Sequence, residues 1–388
     1  MKERIKELAN QLEKEFIELS DEIYKNPELG YEEYNSCRLH EEILEKFGFN
    51  VTKKYLGVDT AFRAEYQSDK EGPTIAFMSE YDALPGIGHG CGHNILGTTS
   101  TGAGIILKHL IDDIGGRVVV FGTPAEETSG AKVLFVEKGA FNDVDVALVA
   151  HPNMSYNKSG KSLALEAIQF EYKGKPSHAA SSPEKGINAL DAVINTFNNI
   201  NALRQQTKPE ARIHGVIKDG GKAANIIPDY CMAQFYVRAQ TKGYLNELVE
   251  KVKRCAEGAA FAAGVELNIS NYEYPYDNMV TNQVLSEVFT GHLTDLGITD
   301  ILEPRQSFGS IDAGNVSHVC PTIHPYFDIV GDINVGAHTV EFAESTMKPY
   351  AYENMMITIQ ALVSTAVDVI RNKELLDKIN EEFKNTEK

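Results

Sequence analysis

Residues 80–104 read EYDALPGIGHGCGHNILGTTSTGAG. The stretch packs Asp82, His89, Cys91 and His93 among glycines, directly after the apolar run Pro73 to Ser79. The run reads as a buried strand, the glycines as a sharp open loop, and Ile95 to Leu110 as the helix that follows. Thiol, imidazole and carboxylate groups crowded at a strand end are what a transition metal needs. Three other readings compete. A phosphate cradle would need a third glycine where Leu107 stands after Gly102-Ala103-Gly104. A nucleophilic Cys91 with His93 as base is a second, although such pairs usually come from distant segments. A plain turn with a buried thiol is the third, and it leaves Asp82 and two histidines unexplained.

Working outward, two more strand ends carry similar chemistry. Arg117 to Gly122 (RVVVFG) runs into Thr123-Pro124-Ala125-Glu126-Glu127, and Val144 to Ala150 ends in His151-Pro152. Helices are expected between them, around Ala131 to Lys138, and before them at Ile5 to Ile23 and Leu39 to Phe47, the last stopped by Gly48. Asp59 to Tyr66 reads as a further strand. This alternation predicts a doubly wound α/β domain with a mostly parallel sheet, in which ligands bind beyond the carboxyl ends of strands. A lone His or a Glu pair after a strand is usually structural; three such ends on one sheet edge make the case.

After a polar, turn-rich stretch, Pro152 to Ser162, read as a linker, the pattern changes. Strands at Leu163 to Tyr172, Ala211 to Lys218, Tyr230 to Arg238 and Val265 to Ser270 alternate with helices at Gly186 to Leu203 and Tyr244 to Ala263. The order βαββαβ is that of a ferredoxin-like unit, here inserted into the first domain. The expected division is residues 1–162 and 276–388 for the metal-binding catalytic domain and 163–275 for the insertion. Beyond it come a helix near Val284 to Leu293, a loop-rich stretch from Arg305 to Val330, a long helix at about Tyr350 to Arg371 and a charged C-terminal tail.

Composition narrows the class. The 388 residues suit two domains, and 43% apolar content is ordinary for a globular protein. A net charge of −18, from 37 basic and 55 acidic residues, argues against a nucleic-acid or anionic-membrane partner. No run of about 18 apolar residues predicts a transmembrane helix. The opening MKERIKELANQLEKEF lacks the apolar core of a secretory signal. The five cysteines are scattered and odd in number, unlike a disulfide framework, so a reducing, cytoplasmic setting is expected.

Several short motifs occur in order: Tyr81-Asp82-Ala83-Leu84-Pro85, Cys91-Gly92-His93-Asn94, Pro124-Ala125-Glu126-Glu127, Ala150-His151, Gly174-Lys175-Pro176-Ser177-His178-Ala179, Asn225-Ile226-Ile227-Pro228-Asp229 and His338-Thr339. In this set the chain resembles the aminoacylase and carboxypeptidase family of two-metal amidohydrolases, and within it the aminobenzoyl-glutamate hydrolase-like branch. The resemblance spans nearly the whole chain. It implies a zinc-peptidase α/β domain with an inserted lid that dimerises, as a dimer or a dimer of dimers.

It further implies metal ligands Cys91, His93, Glu127, His151 and His338, holding two divalent ions, zinc or alternatively manganese, with Cys91 a thiolate shared between them. Asp82 would hold a ligand histidine by its other ring nitrogen. Glu126 would be the general base and His178 the oxyanion donor, reaching into the site of a partner chain. Asn225 and Arg238 would grip substrate oxygens, an Arg suiting a carboxylate. The implied substrate is an N-acyl amino acid or small dipeptide-like amide with a free carboxylate. The alternatives are a broader metallopeptidase and a non-catalytic binding protein. Two positions depart from many relatives: Glu80 stands where other branches carry a metal-binding His, and Asn94 where Asp is usual. His89 precedes the motif proper and is left without a role.

Overall fold

The computed structural model describes residues 1–304, 309–332 and 335–388. In chain order the elements are α1 (Lys2–Lys25), α2 (Tyr34–Lys46), β1 (Asn50–Lys53), β2 (Phe62–Gln67), β3 (Thr74–Ser79), α3 (His93–Ile114), β4 (Arg117–Gly122), α4 (Ala131–Glu137), β5 (Val146–Leu148), β6 (His151–Asn153) and β7 (Tyr156–Asn157). Then come β8 (Ala164–Lys173), α5 (Ala189–Leu203), β9 (Arg212–Asp219), β10 (Tyr230–Ala239), α6 (Lys242–Ala263) and β11 (Glu266–Asn271). The chain ends with α7 (Gln283–Asp295), β12 (Ile301–Leu302), α8 (Ala313–Ser317), β13 (Thr322–Ile323), β14 (Tyr326–Asp328), α9 (Val340–Ser345), α10 (Pro349–Arg371) and α11 (Lys373–Asn385). Contacts divide the described residues into two compact units: residues 1–161, 279–304, 311–332 and 335–387, and residues 162–278 with 309–310.

In the first unit a six-stranded sheet runs in the order β1-β2-β4-β3-β5-β13. Strands β4, β3, β5 and β13 are parallel; β2 runs antiparallel to β4, and β1 antiparallel to β2. The central parallel strands β3, β4 and β5 are almost wholly buried and mostly apolar because both faces are covered. Ile75, Phe77, Val118, Val120, Val146 and Leu148 feed one core; their neighbours Ala76, Met78, Val119, Phe121, Ala147 and Val149 feed the other. Helix α3 lies against the first face, buried on nearly every side. Glycine lets it approach: a Cβ at Gly104 would stand 2.3 Å from the Val120 side chain. Thr98 and Thr99 satisfy their hydroxyls on carbonyls one turn back, at 2.8 and 2.7 Å, so a polar sequence survives in this core.

The second unit has the expected order. Its antiparallel sheet runs β11-β8-β10-β9, and α5 and α6 cover one face. Strand β10 alternates strictly: Cys231, Ala233, Phe235, Val237 and Ala239 are buried, and the residues between them half-buried.

Several expectations are corrected. The charged tail is helix α11. Its Asn372 side chain accepts the Leu375 N–H at 3.1 Å, and Ile379 is fully buried; a narrow apolar stripe in a charged sequence concealed it. The strand expected to Ala150 stops at Leu148, and His151 opens a separate strand. The expected linker holds β7. Of the loop-rich stretch from Arg305, residues 305–308 lie outside the described residues, and the remainder contains α8, β13 and β14. Strand β1, short and mostly exposed, carried no apolar signal.

Candidate metal and catalytic site

Three strand ends of the first unit deliver the chemistry. After β3 the chain places Glu80 and Asp82 and enters the glycine loop. Gly92, at φ +77°, caps α3, and His93 starts the helix. Asp82 is a hub: its Oδ1 lies 2.9 Å from His93 Nδ1, and its Oδ2 accepts the Glu127 N–H at 2.9 Å. His93 Nε2 is therefore the nitrogen turned toward Glu126 and Glu127, each 4.0 Å away. After β4, Ala125 adopts φ +63°, a conformation costly without a reason. Its N–H is held by buried Glu33 at 2.8 Å, which turns the Glu126-Glu127 pair onto the sheet edge. His151 Nδ1 faces the Pro152 carbonyl at 2.7 Å, and its Nε2 lies 3.5 Å from Cys91 Sγ. His338, also at positive φ (+65°), is tied by its N–H to the Gly90 carbonyl at 2.7 Å. Its Nε2 stands 3.6 Å from Glu127 Oε1.

The donor atoms form two interlocking triads: Cys91, His93 and His151, and Cys91, Glu127 and His338, each within 4.8 Å. Cys91 belongs to both. Whether such residues suit cations is tested by their other bonds. His93 Nε2 and Glu127 Oε1 are buried without a hydrogen-bond partner, a state that is costly unless something else satisfies them. Burial, then Glu127, Glu80 and Asp312, push the Glu126 carboxyl well up. Burial likewise pushes the Cys91 thiol up, against the pull of His93. A thiolate and ionised carboxylates there call for added positive charge, so the residues fit divalent cations.

Behind this wall is a device that sequence reasoning missed. Lys132, fully buried on α4, places its ammonium 2.8 Å from Glu80 Oε1 and 2.7 Å from Asp312 Oδ1. Burial raises Glu80, but Lys132 and then His93 outweigh it and hold its carboxyl at about 2. Burial takes Asp312 up to about 6 despite Lys132. Glu80 also stands 3.4 Å from His93 Nε2 and forms a third possible triad with His93 and Glu126; its ion pair with Lys132 already engages it. Also missed was His324-Pro325-Tyr326, a second strand end in His-Pro like His151-Pro152; that repetition was the available signal. His89 is buried with Nε2 3.2 Å from the Ile23 carbonyl. Asn94 donates to Ser20 and Thr346, both at 3.1 Å, and so ties α3 to its neighbours.

The remaining expected residues lie in the second unit. His178 is exposed, and its Nδ1 accepts the N–H groups of Ala180 and Ser181 at 3.2 and 3.1 Å. That leaves Nε2 as the proton-bearing, donating nitrogen. Exposed Asn225 lies on the adjacent segment, where the Ala179 N–H donates to its carbonyl at 3.0 Å. Arg238, half-buried on β10, donates to Ser310 Oγ at 3.1 Å.

A family profile described as a peptidase dimerisation domain matches residues 165–262. The Xaa-Arg dipeptidase of Mus musculus is 38% identical over 401 residues, 98% of this chain and 91% of that protein. The Xaa-Arg dipeptidase of Homo sapiens is 37% identical over 385 residues, 94% of this chain and 88% of that protein. Among solved structures, an aminobenzoyl-glutamate utilization protein from Klebsiella pneumoniae superposes with TM-score 0.75 at 17% identity, covering 94% of this chain and 98% of that one. A dinuclear metal-binding M20 peptidase from Bacillus subtilis gives TM-score 0.71 at 20% identity, covering 93% and 99%.

Proposed function

The chain belongs to the M20 family of peptidases and amidohydrolases, and from that premise we propose that it hydrolyses the amide bond of a dipeptide or N-acyl amino acid bearing a free carboxylate. The observation that carries this reading is the pair of donor triads sharing Cys91 beside Glu126. Cys91, His93, Glu127, His151 and His338 would hold two divalent cations, zinc by the sulfur and nitrogen donors, with manganese the alternative. Bound there, two cations would supply Lewis acidity to the amide carbonyl and to water. Glu126 takes a proton from water as oxygen attacks the amide carbon, then returns it to the departing amine. Asp82 keeps His93 in one tautomer and orientation. We assign residues 1–162 and 276–388 to catalysis and 163–275 to a lid that pairs two copies of the chain, where Asn225 and Arg238 grip substrate oxygens and His178 serves the oxyanion.

Within this class we favour a dipeptide with a cationic C-terminal residue. The mouse and human relatives, at 38% and 37% identity, are Xaa-Arg dipeptidases. A net charge of −18 also draws cationic substrates toward the protein. No helix of the described residues is long and apolar enough to cross a membrane, and all five cysteines are free; we place the enzyme in the cytoplasm as a homodimer or dimer of dimers.

The test is a panel of Xaa-Arg and Xaa-Lys dipeptides, neutral dipeptides, N-acetyl amino acids and p-aminobenzoyl-glutamate, assayed with added zinc or manganese. The expected result is turnover of the cationic dipeptides, abolished by exhaustive chelation. Activity that survives chelation and dies on thiol alkylation would restore Cys91 as a nucleophile.

A further inference from the structure

We propose that Tyr326 is a further catalytic residue, its hydroxyl donating a hydrogen bond to the oxygen that becomes negative when the amide carbon is attacked. The inference rests on the hydrolase reading above. Strand β14 runs parallel to β6 with Tyr326 in register opposite His151. In-register neighbours on adjacent strands project to the same side, so the phenol and the imidazole leave the sheet together. Their rings lie 5.7 Å apart. His324 wedges both, at 5.1 Å from Tyr326 and 5.5 Å from His151. His324 is itself anchored, its N–H donating to Ser159 Oγ at 2.8 Å. The Tyr326 ring is thus held in one orientation beside a residue whose Nε2 is 3.5 Å from Cys91.

Its hydroxyl is left open. The buried tyrosines end on protein partners, Tyr81 on the Thr60 carbonyl, Tyr156 on Asn354 and Tyr172 on Thr196, each at 2.6 Å, whereas Tyr326 is half-buried. The Tyr326 hydroxyl has no hydrogen-bond partner among the described residues and is not sealed from solvent. A phenol carries its proton at neutral pH and can donate it in a hydrogen bond. A rigid phenol with a proton to share and no acceptor among the described residues is placed to donate to something that arrives.

The step balances without a proton leaving Tyr326. Glu126 takes one proton from water, the water oxygen bonds to the amide carbon, and the carbonyl π pair moves onto its oxygen. The Tyr326 O–H stabilises that oxygen by hydrogen bonding only. When the π bond re-forms, the C–N bond breaks and the amine takes the proton held by Glu126.

Tyr326→Phe keeps the ring against His151 and His324 and deletes only the hydroxyl. In metal-loaded protein, kcat should fall by about a hundredfold, the lower range for one oxyanion donor, with KM nearly unchanged. Binding of a phosphinate dipeptide analogue, which mimics the tetrahedral state, should weaken by a similar factor, while metal content and thermal stability stay at wild-type values. A merely structural role would leave kcat and phosphinate affinity alone, and that result overturns the inference while sparing the hydrolase reading. Loss of metal from Tyr326→Phe also overturns it, since Tyr326 would then only support His151. A wild-type protein that neither cleaves the panel nor binds the phosphinate overturns the hydrolase reading first, and this inference with it.

Discussion

Adjacent glutamates at 126 and 127 end in different surroundings, and the difference predicts different failures. Glu127 has its backbone pinned by Asp82 and its Oε1 buried between His93 and His338. Glu126 shares the His93 neighbourhood but belongs to neither triad that contains Cys91. Glu126→Gln preserves shape and removes proton transfer, so turnover should drop by about a hundredfold or more with metal content near wild type. Glu127→Gln should instead lose metal. Metal analysis and kinetics on the same preparations check both, and exchanged phenotypes would reverse the assignment. The motif order alone suggested these roles. It could not show that Ala125 adopts a positive φ to aim them, nor that Glu33, from another helix end, holds that strain in place.

At the level of elements, Lys132 joins three pieces that are distant in sequence: the end of β3 through Glu80, the first turn of α4, and the start of α8 through Asp312. Gly130 adds a close fit, since a Cβ there would stand 2.2 Å from Asp312 Oδ2. Removing one partner of a buried ionic network leaves the others unpaired, at a cost of about 3–5 kcal/mol. Lys132→Met, with a stem of similar bulk, should lose that much stability in denaturant unfolding. A loss below about 1 kcal/mol, the range of exposed pairs, would mean that Glu80 and Asp312 find other partners. Helix and strand periodicity made α1, α3, α10 and the βαββαβ unit legible. It could not reveal this network, because a lysine in a short helix reads as a solvated charge.

For the whole molecule, the prediction concerns assembly. The match to a peptidase dimerisation domain covers residues 165–262, and His178 presents a donating Nε2 from that unit. His178→Ala should remain folded and metal-loaded but nearly inactive, on the scale of a lost oxyanion donor, about 2.7–4 kcal/mol. If His178 acts between two copies of the chain, mixing His178→Ala with Glu126→Gln chains should recover part of the activity, because a hybrid dimer holds one site with both groups intact. Verified hybrids with no recovery would confine His178 to its own chain or remove it from the reaction.

Near neighbours along the chain settled much in advance. Apolar runs marked β2 to β5 and the four strands of the second unit, and alternation along β10 marked its buried face. Cys91 and His93, two residues apart on a tight loop, pointed to a metal site before any fold was known. Everything that depends on register between distant strands waited for the packed molecule. Tyr326 meets His151 because β14 pairs in parallel with β6, 175 positions away in the chain, and Lys132 meets Glu80 because α4 packs where β3 ends. Such meetings are set by which faces bury together, a property of the packed core that no local spacing encodes.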